Sequence, residues 1–372
     1  MTETARSDAV SVPSAVVPGI GIFLSAVVLA TLFVPVNRGV DDPAIWASVG
    51  FATVATLAFL VGATAVANSR TSGWIGAASS TVVVLLVGYA LNQGITAPVS
   101  VPLVSTPAPL LFATFCVAGL ATGIGAAYAV GVDITGLVVR SAYTALLSAV
   151  GAVGLVSAQF ATLFLLLPIV LAAGMPSMPQ FMVLSQIGMA VGTGVVAGGY
   201  LLVRQFDLSY IDLEIPSKRD VLWTVGGIIV LFGALFVIST VFYTTGVESS
   251  DHGTAQQAEE NPEILLVLIP ASLLVIGPFE ELLYRNVIQK SLYETFSRYG
   301  AVVVGSVIFA AVHVLAYATA GVGEVIASLG VVFGLSIVLG IIYERTENLV
   351  VPALIHGAYN AILFANLYLS VA

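Results

Sequence analysis

Charged side chains are scarce in this 372-residue chain: Asp, Glu, Lys and Arg make up 8% of it, whereas hydrophobic residues make up 59%. A soluble globule of this length could not cover so much apolar surface, because its exterior needs polar and charged residues. The shortage excludes a soluble enzyme and predicts an integral membrane protein that crosses the bilayer many times. Each charge inside an apolar run therefore calls for a physical reason.

Cysteine and histidine are rarer still. The single cysteine, Cys116, excludes a disulfide framework and any zinc-knuckle spacing, and its apolar surroundings favour a packing residue. Of the three histidines, His252 lies in the acidic segment 248–263, where we expect a solvated side chain. The other two, His313 and His356, lie in apolar runs. The net charge of −9 argues against nucleic acid as a partner.

Long apolar runs fill most of the chain. Only helices satisfy their own backbone groups in lipid when such a run is continuous, so we predict an all-α fold. A crossing needs about 20 helical residues, and on that measure the chain contains about 11 transmembrane helices. They are predicted at residues 15–36, 45–67, 74–91, 110–130, 144–173, 181–203, 221–247, 264–288, 301–318, 322–343 and 349–371.

A charged linker at residues 204–220 separates two groups of runs. We expect an N-terminal transmembrane region of about six helices, residues 1–204, and a C-terminal region of about five, residues 205–372. If the N-terminus is cytoplasmic, ten of the eleven Lys and Arg residues lie on the cytoplasmic side and only Arg38 lies outside. The charge pattern therefore predicts a multi-pass protein of the cell membrane with a cytoplasmic N-terminus.

Pairs of small residues predict where helices pack closely in lipid. Gly119 and Gly123 have the required spacing, as do Gly330 and Gly334. This spacing concerns packing alone and indicates no chemistry.

Glu280, Glu281 and Arg285 interrupt the apolar run that begins at residue 264. Glu281 and Arg285 are spaced i,i+4 with the acid first, which favours an ion pair on one helix face. Glu280 lies about 100° around the helix and stays available for another role. Because Pro278 lacks an N–H, the helix kinks or restarts there, and a restart would place Glu280 at the positive end of a helix dipole. Taken alone, the three charges also fit an interfacial cluster at a helix end.

Two histidines add polar groups to two further spans. His313 is predicted about midway along its span, and His356 is followed at i+4 by Asn360, on the same helix face. A lone intramembrane histidine is usually a hydrogen-bonded packing residue. Polar residues at one level of three spans instead indicate a small polar cavity in the C-terminal helical bundle, open to the cytoplasm.

Hydrolysis of a peptide bond suits such a cavity. Glu280 and His313 would deprotonate and orient a water, while His356 and Asn360 would stabilise the oxyanion. The neighbouring ion pair would support these groups. No activated serine or cysteine motif is present, which favours direct attack by water.

Two other interpretations fit the same residues. Glu280, His313 and His356 supply one oxygen and two nitrogens, the ligand set of a catalytic zinc, although the HExxH motif is absent. The sequence leaves a metal-dependent and a metal-free mechanism both open. A non-catalytic membrane protein, either a scaffold or a proton-coupled transporter with Glu280 and His313 as its relay, is the alternative function, although the chain shows no repeated halves.

Three motifs carry a resemblance to a known family: EExxxR from Glu280, FxxxH from Phe309 and HxxxN from His356. With the segment 346–352, they resemble the CAAX prenyl protease and bacteriocin-processing (CPBP) family of intramembrane proteases over about residues 205–370. The resemblance implies a membrane endopeptidase whose polar cavity opens to the cytoplasm. It implies that the first glutamate, both histidines and the asparagine form the active site.

The family resemblance also bears on substrate and cofactor. It implies a lipid environment and a membrane-associated or lipidated peptide or protein substrate, such as a prenylated CAAX protein. Members are often labelled as metalloproteases, whereas a metal-free glutamate mechanism is the better account of the eukaryotic ones. Tyr284 stands where the family usually has Phe, and Asn286 stands where Gly is common.

Overall fold

Helices make up nearly all of the described chain. The computed structural model describes residues 15–64, 68–100 and 107–371, and within them only two strands of two residues each interrupt the helices. The predicted all-α membrane fold is thereby confirmed. Arg6 and the N-terminus, which we predict in the cytoplasm, lie outside the described residues. The chain forms two compact units, Met1–Val139 and Arg140–Ala372.

The first unit is a four-helix bundle. Each helix packs against the next, and the first also packs against the fourth. Small residues allow this close approach: a Cβ added at Gly73 would come within 2.5 Å of the backbone nitrogen of Ala129. The elements are α1 (Val16–Asn37), α2 (Pro43–Ala63), α3 (Ser69–Asn92) and α4 (Leu110–Ala129), with β1 (Pro98–Val99) and β2 (Ala108–Pro109) paired antiparallel between α3 and α4.

The second unit holds most of α5 and seven further helices, with α9 packed against four of them, α6, α10, α11 and α12. Apolar side chains of α9, such as Leu283 and Ile288, are fully buried in a core with Leu147 of α5 and Ile308 of α10. The elements are α5 (Ile134–Ala173), α6 (Met178–Arg204), a 3₁₀ turn (Leu208–Tyr210), α7 (Lys218–Thr245), α8 (Gly253–Glu260), α9 (Ile264–Leu292), α10 (Arg298–Val312), α11 (Val322–Thr346) and α12 (Val350–Val371).

Ten helices of the described chain are long and apolar enough to cross a membrane: α1 to α7, α9, α11 and α12. The one predicted span not among them is the ninth, residues 301–318, where the described chain has the 15-residue helix α10, which ends at Val312. At 1.5 Å per residue α10 extends about 22 Å, less than the roughly 30 Å of a hydrocarbon core. His313 therefore lies at the C-terminal end of a helix, and its predicted position midway along a span is wrong.

The predicted glycine pairs are not the sites of closest packing. A Cβ added at Gly119, Gly123 or Gly330 would meet no atom within 4 Å, and one at Gly334 would meet only the end of Ile238. The helices approach most closely where one small residue faces the backbone of another helix, as Gly192 of α6 faces Ala158 of α5, where a Cβ would lie 2.3 Å from the backbone nitrogen. Spacing alone does not show which helix lies opposite.

The charged linker is bound to the helices of the second unit. Lys290 Nζ of α9 donates to Tyr210 O and lies 2.7 Å from Asp212 Oδ1. The hydroxyl of Tyr343 in α11 donates to Asp212 Oδ2 at 2.6 Å, and Leu349 N donates to Asp212 O at 2.6 Å. Asp212 of the linker thus forms hydrogen bonds with α9, with α11 and with Leu349, which directly precedes α12.

Asn286 belongs to the same polar network. It is fully buried, and its Nδ2 donates to Tyr343 Oη at 3.1 Å and to Tyr210 O at 3.3 Å. A glycine, common here in the family that the sequence resembles, could make neither bond.

The boundary between the two compact units lies at residues 139 and 140 of the chain, so most of α5 and all of α6 belong with the C-terminal helices, whereas the linker indicates a division at residue 204. The division by function at residues 204 and 205 stays a prediction.

His252 is not a solvated side chain, contrary to the expectation from its acidic surroundings. It is half-buried, its ring meets Tyr317 edge-on with 5.1 Å between centroids, and its Nδ1 accepts a hydrogen bond from Thr254 N at 3.1 Å. Burial, followed by the charge of His313, lowers the pKa of His252 to about 4. The neutral ring is needed because it supplies the acceptor that caps the N-terminus of α8.

Because the pKa of His252 is low, we predict that the protein becomes less stable as the pH falls. The pKa of histidine in an unfolded chain is about 6.5, so between that pH and about 4 the unfolded chain binds more protons than the folded one. The stabilisation that comes from the neutral His252 is complete above about pH 6.5 and is lost as pH falls towards 4. His252→Asn keeps a capping acceptor without a titratable group. We expect the unfolding temperature in detergent micelles to fall more for the wild type than for this variant across that range. An equal fall for both would contradict a neutral, buried His252.

Candidate active site

The charged segment of α9 lies between two π-helical segments. Ser272–Ile276 and Leu282–Gln289 are π-helical, and the α-helical turn Gly277–Glu281 lies between them. The helix continues through Pro278, so the restart considered from the sequence is wrong and Glu280 has no free helix N-terminus beside it. Short π segments inside α-helices accompany functional sites in many proteins and redirect the side chains that follow them.

Arg285 and Glu281 form the ion pair that their spacing predicts. Arg285 Nε lies 2.8 Å from Glu281 Oε2, and both side chains are 0% exposed. Arg285 Nη2 also donates to Ser336 Oγ of α11 at 3.0 Å, and its Cζ lies 5.1 Å from the ring centre of Phe309 in α10. Burying two charges costs several kcal/mol each, about as much as their attraction returns, so such a pair depends on well-placed hydrogen bonds. The pair therefore ties α9 to α10 and α11.

Glu281 also binds His356 of α12. Its Oε1 lies 2.9 Å from His356 Nδ1, and because a carboxylate accepts, Nδ1 carries the hydrogen. In the neutral ring Nε2 then presents a lone pair, and this atom lies 3.8 Å from Glu280 Oε2. The residue spacing predicts the pairing of Glu281 with Arg285, but a contact between helices 75 residues apart leaves no local pattern in a single sequence.

His313 reaches the same carboxylate from the end of α10. Its Nδ1 lies 2.7 Å from the carbonyl oxygen of Phe309, an acceptor, so Nδ1 again carries the hydrogen. Its Nε2 faces Glu280 Oε2 at 4.0 Å. The ring of Phe309 lies beside both imidazoles, with centroids 4.5 Å from His313 and 6.0 Å from His356. Three helices thus bring one carboxylate oxygen and two imidazole nitrogens together.

Glu280 Oε2 is buried and has no hydrogen-bond partner among the described residues. The two Nε2 atoms, at 3.8 and 4.0 Å, are beyond direct hydrogen-bond distance. A polar gap of this size is commonly bridged by water. The geometry therefore suits one small polar ligand between Glu280 and the two histidines.

Asn360 lies one helical turn beyond His356, on the same face of α12. It is half-buried, and within the described chain its carboxamide makes no side-chain hydrogen bond, which leaves its donors available. The six predicted site residues therefore fall into two parts. Five form a continuous series in the order Arg285, Glu281, His356, Glu280 and His313, and Asn360 lies about 6 Å along the helix from His356.

Residues 262–362 match the family model described as "Type II CAAX prenyl endopeptidase Rce1-like". This segment, the Rce1-like segment, is similar to that family. The match contains all six predicted site residues and confirms the resemblance to the CPBP family. It supports a CAAX protease-type hydrolase that acts on a peptide substrate in a membrane environment. It covers 101 of the 372 residues. No curated protein and no solved structure is significantly similar to the chain.

The donor set of the Rce1-like segment has the chemistry of a zinc site but not its spacing. With bonds of about 2.0–2.2 Å, two ligands of one tetrahedral zinc lie about 3.4 Å apart, whereas Glu280 Oε2 lies 4.0 Å from His313 Nε2 and 3.8 Å from His356 Nε2. Within the described ranges no group of three His, Cys, Asp or Glu side chains is close enough to hold a metal ion. The residues do not fit a zinc ion as they stand, and we assign no catalytic step to a metal.

Two glycines of the Rce1-like segment allow α9 and α12 to cross at the site. A Cβ on Gly277 would lie 2.4 Å from Ala353 O, and one on Gly357 would lie 2.6 Å from Ser272 O and 2.9 Å from Leu273 Cα. These neighbours are backbone atoms, which cannot move aside as a flexible side chain can. Since Gly357 directly follows His356, the crossing controls the distance between His356 and Glu281.

Gly357→Ala is expected to push α9 and α12 apart. Overpacking of this kind costs about 1–3 kcal/mol, so we expect a lower unfolding temperature and a loss of peptide cleavage as His356 moves away from Glu281. Gly330→Ala is the matched control, because a Cβ there meets no atom within 4 Å. Thermal unfolding and cleavage should be measured on both variants in the same lipid. If both variants behave alike, the crossing does not set the geometry of the site.

Proposed function

We propose that the protein is an intramembrane endopeptidase that hydrolyses a peptide bond with a water activated by Glu280. One observation carries the proposal: within the Rce1-like segment, the buried and unpartnered Glu280 Oε2 faces the Nε2 atoms of His313 and His356 at 4.0 and 3.8 Å. A carboxylate with two imidazoles around a water-sized gap is suited to removing a proton from water. The family match favours this function over a scaffold or a transporter.

In the proposed reaction Glu280 takes a proton from the water, and His313 orients it. The hydrogen on His313 Nδ1 is held by the Phe309 carbonyl at 2.7 Å, which keeps the lone pair of Nε2 facing the water. The hydroxide oxygen attacks the carbonyl carbon of the scissile bond, and the proton held by Glu280 passes to the leaving nitrogen. No covalent enzyme intermediate is required.

His356 and Asn360 are proposed to stabilise the oxyanion. Asn360 donates from its amide, and His356 donates from Nε2 once its ring is doubly protonated. Glu281 lies 2.9 Å from the other ring nitrogen and stabilises that positive charge. Arg285 in turn compensates the charge of Glu281. Donors held in place before the reaction are worth about 2.7–4 kcal/mol each in comparable sites.

We further propose a location and a substrate class. Ten long apolar helices support a multi-pass membrane protein, and the bias of Lys and Arg supports a cytoplasmic N-terminus with the cavity facing the cytoplasm. The substrate is then a membrane-associated or lipidated peptide or protein that enters the cavity from the cytoplasm. The Rce1-like match favours a prenylated, CAAX-type C-terminus.

Glu280→Gln is expected to abolish cleavage without unfolding the protein. Glutamine has nearly the same shape but cannot take a proton from water, and loss of a general base costs about 10²–10⁴-fold in rate. The assay is cleavage of a membrane-tethered, prenylated peptide by purified protein in liposomes, with the unfolding temperature measured in parallel. Glu259→Gln, an exposed position on α8, is the matched control. Cleavage by Glu280→Gln at the control rate would refute the proposed role.

A further inference from the structure

His313 lies where a helix has just ended, so other contacts must fix its position. α10 ends at Val312, and residues 313–321 follow without regular helical structure before α11 begins at Val322. The carbonyl of His313 accepts hydrogen bonds from Ala316 N at 3.0 Å and from Tyr317 N at 3.3 Å. The placement of His313 therefore depends on the turn formed by residues 313–317.

A second segment of the chain binds this turn. Residues 250–253, the last of which begins α8, make hydrogen bonds to residues 316–319, and we call this contact the clasp. It joins two segments more than 60 residues apart in the chain. The three bonds run from Ser250 Oγ to Tyr317 O at 2.6 Å, from Gly253 N to Ala316 O at 2.8 Å and from Thr319 Oγ1 to Asp251 O at 2.7 Å.

α11 anchors the clasp at Ser250. Ser328 Oγ donates to Ser250 O at 2.8 Å, and Ser250 N donates to Glu324 O at 3.3 Å. Ser250 and Ser328 are 6% and 3% exposed. The N–H, the carbonyl and the hydroxyl of one buried serine are thus all bound. Buried hydrogen bonds of this kind are costly to break, because a buried donor or acceptor has no water to bind in place of a lost partner.

The clasp adjoins the catalytic groups. The ring of Tyr317 packs edge-on against His252, with 5.1 Å between centroids. Burial and then the negative charge of Glu280 raise the pKa of Tyr317, and the charge of His313 contributes to the lowered pKa of His252. The backbone joins this ring contact to the site directly, because Tyr317 N donates to the carbonyl oxygen of His313 at 3.3 Å.

We propose that Ser250 and Tyr317 are positioning residues of the active site, because the clasp holds the turn after α10 and thereby keeps the His313 imidazole facing Glu280. The inference rests on the proposed function, in which His313 orients the attacking water. The clasp stays closed during turnover and is not a gate for the substrate, since every polar group of its central serine is bound within the protein.

Removal of one hydroxyl tests the proposal. Ser250→Ala deletes the bond to Tyr317 O. It should lower kcat about tenfold, because the attacking water is no longer well oriented. KM for the membrane-tethered peptide should stay within about twofold, because substrate binding is not affected. Hydrogen exchange of the amides at residues 313–321 should speed up. Ser328→Ala, which deletes the bond to Ser250 O, should act in the same direction and replaces Ser250→Ala if that variant does not fold.

Ser48→Ala is the matched control, since Ser48 is also buried and its Oγ donates to Ala44 O at 2.7 Å in the first unit. It should leave kcat and exchange at residues 313–321 unchanged. Unchanged kcat in both clasp variants, or an equal loss in Ser48→Ala, would overturn the proposal.

A disulfide across the clasp separates positioning from gating. The chain has one cysteine, so Cys116→Ser provides a background for Gly253→Cys with Ala316→Cys. A Cβ at residue 253 meets Ala316 O at an ordinary 3.6 Å, and a backbone hydrogen bond already joins the two residues. We expect the oxidised protein to keep its kcat and to restore the kcat of Ser250→Ala, and the reduced protein to restore nothing.

Each other outcome contradicts the inference. Failure of the disulfide to form under oxidant would mean that residues 253 and 316 are not adjacent, and loss of cleavage on oxidation would identify the clasp as a moving gate. The proposed function can fail separately. If Glu280→Gln retained cleavage, the catalytic role of Glu280 would be refuted. Slower hydrogen exchange at residues 313–321 in the oxidised protein would still show that the clasp holds the turn.

Discussion

Glu281 and Arg285 form an ion pair with no solvent exposure, and the candidate active site depends on it. Charges buried in an apolar bundle are tolerated only where other groups compensate them. Here Arg285 binds Glu281 and Ser336, and Glu281 binds His356. The pair therefore holds α9, α11 and α12 in one arrangement. If either Glu281 or Arg285 were removed, the charge of the other would remain buried without its partner, close to the imidazole of His356 that the proposed chemistry requires.

Two neighbouring glutamates have opposite surroundings. Glu281 has a partner on both oxygens, whereas Glu280 Oε2 has none within the described chain and faces two imidazole nitrogens across a gap. The first arrangement suits a structural carboxylate and the second suits a group that exchanges a proton with water. The glycine crossing of α9 and α12 and the clasp beyond α10 bring one histidine each to this gap. The positions of the two imidazoles thus depend on contacts of the backbone at the glycine crossing and at the clasp, and not only on the charged side chains themselves.

Local patterns in the sequence predict the membrane class, the helical fold and the pairing of Glu281 with Arg285, because hydropathy and i,i+4 spacing depend on neighbouring residues. They do not predict that α10 ends at Val312, that His252 is half-buried, or that Gly357 rather than Gly330 is a point of closest packing. Each of these depends on which segment lies opposite, and a single sequence does not contain that information. Tyr317 lies four residues after His313, close to the motif in the sequence, but its hydrogen bond with Ser250 follows only from the fold.

The most direct test of the account is a double-mutant cycle on the buried pair, with unfolding free energies measured in mixed micelles for Glu281→Gln, Arg285→Met and the double variant. Each single substitution leaves one partner of the pair uncompensated, and we predict a loss of about 3–5 kcal/mol for each. The double variant removes the unpaired charge and should lose clearly less than the sum of the two. Losses that add to within about 0.5 kcal/mol would show that the two side chains do not interact and would contradict an active site organised around their ion pair.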